Sequence, residues 1–261
     1  MLILVTNDDG IHSPGLQVLC ESLQPLGRVV VVAPDRERSA ISHALTLHSP
    51  LRAVEHANDW WAVDGTPTDC VNLGIHGLLK QAPDLVVAGI NLGANLGDDL
   101  TYSGTVAAAM EATLMGVPAL AVSLVAERFL QEDFFWGGRW AASIAAYVLK
   151  HGLPADTFLN VNIPAKQPLG LRLTRQGKRR YADAVVQNLD PRGRAYYWIG
   201  AGELSFHDLD GTDVHAVHRG LVSMTPLHLD LTNYAAFERL RGWNIDICET
   251  AGDDTSGEGA G

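Results

Sequence analysis

Continuous apolar runs alternate with amphipathic stretches along the first two thirds of the chain. Leu2-Ile3-Leu4-Val5, Val29 to Ala33, Leu85 to Ile90, Val117 to Leu124 and Phe158 to Ile163 carry few polar interruptions. Runs of this kind read as parallel strands buried on both faces. The segments between them have helical spacing. Ser13-Pro14 opens the first, with Ser13 as N-cap and Pro14 at the first helical position, where its missing N–H costs nothing. Leu16, Leu19, Cys20 and Leu23 then share one face, and Gly27 ends the segment. Thr66-Pro67 opens a second helix over Cys70, Val71, Leu73, Leu78 and Leu79, or else a tight turn with a cis bond. Ser103-Gly104-Thr105 opens an alanine-rich third that stops at Gly116, and an amphipathic fourth is predicted over Phe134 to His151. This alternation predicts a doubly wound, mostly parallel, Rossmann-like α/β core over residues 1–165.

Elsewhere the pattern is weaker. Leu45 to Asp64 contains short β-prone pieces ending in Trp60-Trp61-Ala62-Val63, read as a strand or hairpin. Beyond Pro164, Leu169 to Arg175 alternates like a half-exposed strand. Ala195-Tyr196-Tyr197-Trp198-Ile199 is an aromatic strand, and the stretches from Asp213 and from Gly220 suggest a return to the main body. Residues 166–249 are therefore expected to be a β-hairpin excursion and return elements of the same domain, the excursion pairing with another subunit. Residues 250–261, rich in glycine and acid, are expected to be a disordered tail.

Composition narrows the classes. With 47% hydrophobic and 19% charged residues, the 261-residue chain is an ordinary globular protein. A formal charge of −11 argues against binding nucleic-acid polymers or anionic membranes. It also means that an anionic substrate must be drawn in by local positive charge. The three cysteines, Cys20, Cys70 and Cys248, are widely spaced and read as reduced thiols, which suggests a cytoplasmic protein. No apolar stretch reaches the ~18–20 residues of a membrane span.

Candidate chemistry collects at strand ends. The first strand runs into Asn7-Asp8-Asp9-Gly10, and in open α/β sheets ligands gather outside the carboxyl ends of strands. Adjacent carboxylates repel, and burial raises their cost. A hard divalent cation relieves both penalties; the alternative is that Asp8 and Asp9 only cap the next helix. Ser39, in the loop after the second strand, offers a hydroxyl, or is a simple turn residue. Asn91, closing the Leu85 strand, offers an uncharged amide oxygen beside Gly89, Gly93 and Gly97. The start of the Ser103-Gly104-Thr105 helix is an anion site by its free N–H groups, dipole and hydroxyls, or a plain cap. Lys178-Arg179-Arg180 assists a substrate phosphate or is a solvated edge, the second reading being preferred. Of ten histidines only His12 lies near the acidic pair, and a surface role suits it better.

Taken in order, Asn7-Asp8-Asp9-Gly10 with Gly15, Pro34-Asp35 through Ser39-Ala40, Gly65-Thr66-Pro67, Gly89-Ile90-Asn91 through Asn95, and Tyr102-Ser103-Gly104-Thr105-Val106-Ala107-Ala108 form a specific set. Thr212-Asp213-Val214 and Ser223 to Leu227 extend it. The set resembles the survival protein SurE family of 5′/3′-nucleotidases over about residues 1–235. The resemblance implies a cytoplasmic, metal-dependent phosphomonoesterase acting on nucleoside monophosphates, dimeric or tetrameric, with an exopolyphosphatase side activity. Carried over by position, it implies one Mg²⁺ or Mn²⁺ per subunit on Asp8, Asp9, Ser39 and Asn91. It also implies a phosphate held by Asn95, Ser103, Gly104 and Thr105.

The expected catalysis is in-line attack by a metal-activated water, with Asp9 as the candidate proton acceptor. A covalent route through Asp8 is disfavoured because aspartyl-phosphate enzymes usually space their acids by one residue. A phosphoacceptor receiver domain is disfavoured because Asn91 stands where its acceptor aspartate would be. A nucleotide-binding protein without turnover is the remaining alternative, separated by assay of released phosphate.

Overall fold

A computed structural model describes residues 1–180, 185–199 and 205–243. Residues 1–229 form one compact unit, and a second begins at Asp230. In chain order the first unit holds β1 (Leu2–Thr6), α1 (Pro14–Leu23), β2 (Arg28–Pro34), β3 (Ala53–Ala57), β4 (Trp60–Val63), α2 (Pro67–Leu73), β5 (Leu85–Leu92), α3 (Gly104–Leu114), β6 (Ala119–Val125), α4 (Gln131–His151) and β7 (Thr157–Pro164). It continues with β8 (Leu171–Leu173), β9 (Arg179–Arg180), β10 (Val185–Leu189), β11 (Ala195–Ile199), β12 (Ser205–Phe206), α5 (Asp213–His218) and β13 (Val222–His228).

Nine strands form the main sheet in the order β3-β4-β2-β1-β5-β6-β7-β13-β8. From β4 through β7 every neighbour is parallel, while β3 and β13 run antiparallel to β4 and β7. The doubly wound core expected from the apolar runs is thus present. From β1 the chain winds outward through β2 and β4, then returns to place β5 on the other side of β1. That reversal puts the crevice for a ligand beyond the carboxyl ends of β1 and β5.

The side-chain period of two in each strand builds two cores. Ile3, Val5, Val31 and Val87 face α1 and α4, joining Leu16, Leu19, Ile144 and Val148. Leu2, Leu4, Val30, Val32 and Val86 face the opposite way, against Val71 of α2 and Val106 and Ala109 of α3. Two buried faces explain why these strands read as unbroken apolar runs.

Several boundaries differ from the pattern. Leu45 and Leu47 lie in irregular, exposed chain, not in a strand. Side chains replace the ladder there: Thr46 bonds Asp69 through both its amide and hydroxyl, and the Thr66 hydroxyl donates to Ala44 O. Helix α4 starts three residues early because the Asp133 carboxylate caps the Leu130 amide. Thr66 is an N-cap with a complete capping box, and Asp69 returns the bond; the cis bond in the described chain is Gly89–Ile90 instead. The alternating stretch at Leu169 contributes only β8, exposed throughout. Strand β13 inserts between β7 and β8 and makes the expected return to the main body. Strands β10 and β11 pair as an antiparallel hairpin.

The second unit contains a 3₁₀ turn, Tyr234–Ala236, and the short helix α6, Phe237–Arg241. The segment expected to be a disordered tail, 250–261, lies outside the described residues, as do Tyr181 and Cys248.

Candidate active site

Four chain segments reach the crevice because each continues a buried strand or opens a buried helix. The β1 end delivers Asp8 and Asp9. Just before them, Asn7 donates its side-chain amide across the pair to Gly10 O, tightening the turn. Gly10 has φ of +94°, and a Cβ there would stand 2.9 Å from Arg36 C, so only glycine lets the chain leave this way.

Asp8 is buried, with 4% of its surface exposed. The Thr105 hydroxyl donates to its Oδ1 at 2.5 Å and the Thr105 amide to its Oδ2 at 3.1 Å. Gly104 permits this approach, since a Cβ there would lie 2.9 Å from Asp8 Cβ. The N-terminus of α3 therefore does hold an anion, and that anion is the Asp8 carboxylate. Burial raises the Asp8 pKa, and the Thr105 and Gly104 donors oppose the rise. Asp9 accepts from the Leu92 amide through Oδ2 at 3.0 Å. Burial first, then the charge of Asp8, pushes its pKa up to about 6.

Asp8, Asp9, Ser39, Asn91, Asn95 and Ser103 line one cleft of about 420 Å³, joined by Glu37, Asp99 and Tyr102. Six of the eight residues expected at the site thus share one cavity wall. Thr105 is fully buried behind Asp8, and Gly104 lies against it. Ser39 donates its hydroxyl to Glu37 Oε1 at 2.8 Å, which leaves the oxygen's lone pairs for a cation. Asn91 donates Nδ2 to Gly93 O, which leaves its amide oxygen for the same use. Ser103 caps α3 by accepting from the Val106 amide, so its own O–H can be given to an anion.

Glu37, Asp99, Tyr102 and the Leu92 amide escaped sequence reasoning, because nothing in their spacing ties them to the acidic pair. Nor did it find the partners of the basic cluster. Lys178, 70% exposed, pairs with Asp98 at 3.1 Å, and the more buried Arg179 pairs with Asp99 at 2.5 Å. Asp213 bonds the amides of Gly97 and Gly177, fixing that wall from behind. His12 packs edge-on to His56 and borders a neighbouring hollow rather than this cleft. Cys20 and Cys70 are buried free thiols with pKa values raised by burial, which excludes them as nucleophiles.

Among the described residues no group of three or more His, Cys, Asp or Glu side chains is arranged to hold a metal. The donor set on offer is two carboxylates completed by the neutral oxygens of Ser39 and Asn91. These are hard oxygen donors, and the desolvated acidic pair supplies the charge that a divalent cation would neutralise. The residues fit such an ion.

A sequence model described as "Survival protein SurE" matches residues 3–183. The chain is similar to a protein named 5′-nucleotidase SurE from Syntrophotalea carbinolica, with 66% identity covering 94% of this chain and 98% of that one. A protein of the same name from Geobacter sulfurreducens is 58% identical, covering 98% and 99%. The solved structure of the SurE protein from Aquifex aeolicus superposes with a TM-score of 0.84 at 46% identity, covering 93% of this chain and 99% of that one. The ordered motifs, the switch-point cleft and these likenesses together establish that the chain belongs to the survival protein SurE family.

Proposed function

We propose that this protein hydrolyses nucleoside 5′- and 3′-monophosphates to nucleoside and orthophosphate, using one divalent cation, Mg²⁺ or Mn²⁺, per subunit. The observation that carries the reading is the adjacent, desolvated pair Asp8 and Asp9 on the same cleft wall as Ser103 and Asn95. The names of the relatives support the same substrate class. Four carboxylates, from Asp8, Asp9, Glu37 and Asp99, border the cleft, and a phosphate monoester would not enter it unaided. Asp8, Asp9, Ser39 and Asn91 would hold the cation, which when bound polarises a phosphoryl oxygen and acidifies a water.

The chain's own groups divide the remaining work. Asp8 is clamped through both oxygens by Thr105, so it is oriented rather than free to attack. This geometry argues against a covalent aspartyl-phosphate. Asp9 has Oδ2 engaged by Leu92, which supports Oδ1 as the proton acceptor in this reading. The Ser103 hydroxyl and the Asn95 amide donate to the phosphate and stabilise charge as it develops. Thr105 and Gly104 serve the phosphate indirectly, by fixing Asp8. Arg179 pairs with Asp99, a cleft residue, and offsets its charge.

The exposed β10–β11 hairpin is read as an oligomer contact. Tyr197, Trp198 and Ile199 are 60%, 61% and 84% exposed, a cost that a homodimer or homotetramer interface would remove. No helix among the described residues is long and apolar enough to cross a membrane, and the free thiols suit the cytoplasm. The exopolyphosphatase activity that the family resemblance implies belongs in the same assay.

Phosphate release is measured from a panel of nucleoside 5′- and 3′-monophosphates and polyphosphate with Mg²⁺, Mn²⁺ or EDTA. Wild type and Asp9→Asn run in parallel. Turnover that requires metal and falls by at least about a hundredfold in the variant is expected. A folded wild type that binds nucleotide but releases no phosphate with any metal would make the protein a binding module.

A further inference from the structure

Asn95, in the loop after β5, is held from behind by a buried polar network from two strands, β6 and β7. On β7, Asn162 faces the Asn95 peptide with both ends of its amide: Oδ1 accepts from Asn95 N and Nδ2 donates to Asn95 O, each at 2.9 Å. Asn160, two residues earlier and on the same face, donates to the same carbonyl at 2.9 Å. On β6, Ser123 Oγ accepts from the Asn95 side-chain Nδ2 at 2.7 Å. Asn160, Asn162 and Ser123 are each fully buried. Amides on a buried interior strand are costly unless satisfied, and apolar residues would pack there at less risk. Their bonds converge on one residue at the cleft.

We infer that Asn162, with Asn160 and Ser123, is a positioning residue for phosphate: it sets the backbone of Asn95 and the rotation of its amide. Ser123 takes one hydrogen of the Asn95 NH₂ group, so the second is aimed rather than free to rotate. Asn162 fixes the peptide from which that side chain springs. None of the three is assigned contact with substrate; they act through Asn95. The inference rests on the proposed role of Asn95 in holding phosphate.

The same face of the sheet supplies an internal comparison. Thr174 bonds Ser223 at 2.8 Å and Thr225 at 2.7 Å, both on β13, the strand next to β7. These hydroxyls are also buried, but Thr174 makes no bond to Asn95. Removing it costs buried hydrogen bonds of similar kind without touching the phosphate wall.

The test uses the full chain loaded with Mn²⁺ and inorganic phosphate as the probe, with affinity read by calorimetry and folding by melting temperature. Asn162→Leu should weaken phosphate binding about tenfold or more, since misplacing one oriented donor has effects of this order. Ser123→Ala, a milder change that should fold normally, is expected to weaken it by a few-fold. Mn²⁺ affinity should be unchanged in both. Thr174→Val should lower the melting temperature while leaving phosphate affinity intact. Equal phosphate affinity in wild type and both site variants overturns the inference, as does a loss in Thr174→Val matching that of Asn162→Leu. Turnover of a nucleoside monophosphate is assayed alongside. A wild type that binds phosphate but hydrolyses nothing removes the hydrolase reading, while the affinity comparison still decides the role of Asn162.

Discussion

Thr105 shows how one side chain changes its meaning between sequence and structure. A threonine at the start of a helix suits an anion site, and a carboxylate of the chain itself fills that role here. Position along the chain says that α3 begins with free amides; it cannot say which anion folding brings to them. The two alternatives differ in outcome. If Thr105 orients Asp8, Thr105→Val leaves a buried carboxylate short of its strongest donor, worth about 1.5–3 kcal/mol for a charged acceptor. Metal affinity and kcat should then fall together, and Thr105→Ser should restore most of both. A loss confined to phosphate affinity, with Mn²⁺ binding untouched, would instead make Thr105 a phosphate ligand. Asp8, Asp9 and Asn91 were legible for a simple reason. Each directly follows or ends an apolar run whose burial on both faces leaves little choice of conformation.

Elements were legible in proportion to how regularly they bury. The central strands β1, β2, β5, β6 and β7 and helices α1 to α4 repeat one period each and were read correctly within a few residues. The chain from Ala40 to Arg52 was not, since it is held by Thr46, Asp69 and Thr66 in side-chain bonds that no periodicity announces. The same is true of the Gly97–Gly177–Asp213 contact, which joins residues 116 apart at its widest. The β10–β11 hairpin was expected from the sequence as an excursion pairing with another subunit. Its exposed aromatic side chains yield a prediction: Trp198→Ser with Tyr197→Ser should shift sedimentation velocity toward a smaller species. The far-UV circular dichroism of the main sheet should not change. Sedimentation identical to wild type would remove the hairpin from the interface.

At the scale of the whole molecule, the acidic pair links folding to pH and metal. The Asp9 pKa, raised from 3.8 to about 6 in the metal-free fold, means that Asp9 stabilises the fold only while it is protonated. That contribution is fully present below its unfolded pKa and is lost as pH rises through about 6. The charged form is also the one that binds a cation. Melting temperature should therefore respond little to Mn²⁺ at pH 5 and rise clearly with Mn²⁺ at pH 7.5. In Asp9→Asn the metal-free protein should melt higher than wild type at pH 7.5 and gain less from Mn²⁺. Equal Mn²⁺ stabilisation at both pH values would show that these carboxylates are not the ligands.

The place of β13 has a consequence for how the molecule is made. It is the last strand of the sheet to be synthesised, yet it lies inside it, between β7 and β8. Asp213, just upstream, ties down the loop at Gly97. A chain emerging from the ribosome can pair β1, β2, β5, β6 and β7 and bring Asp8, Asp9 and Asn91 together well before residue 213 appears. The Gly97 end of the loop beyond Asn95 lacks its Asp213 tether until that late segment docks, so the nascent chain is built to gather its acidic residues first and to finish the opposite wall of the cleft last.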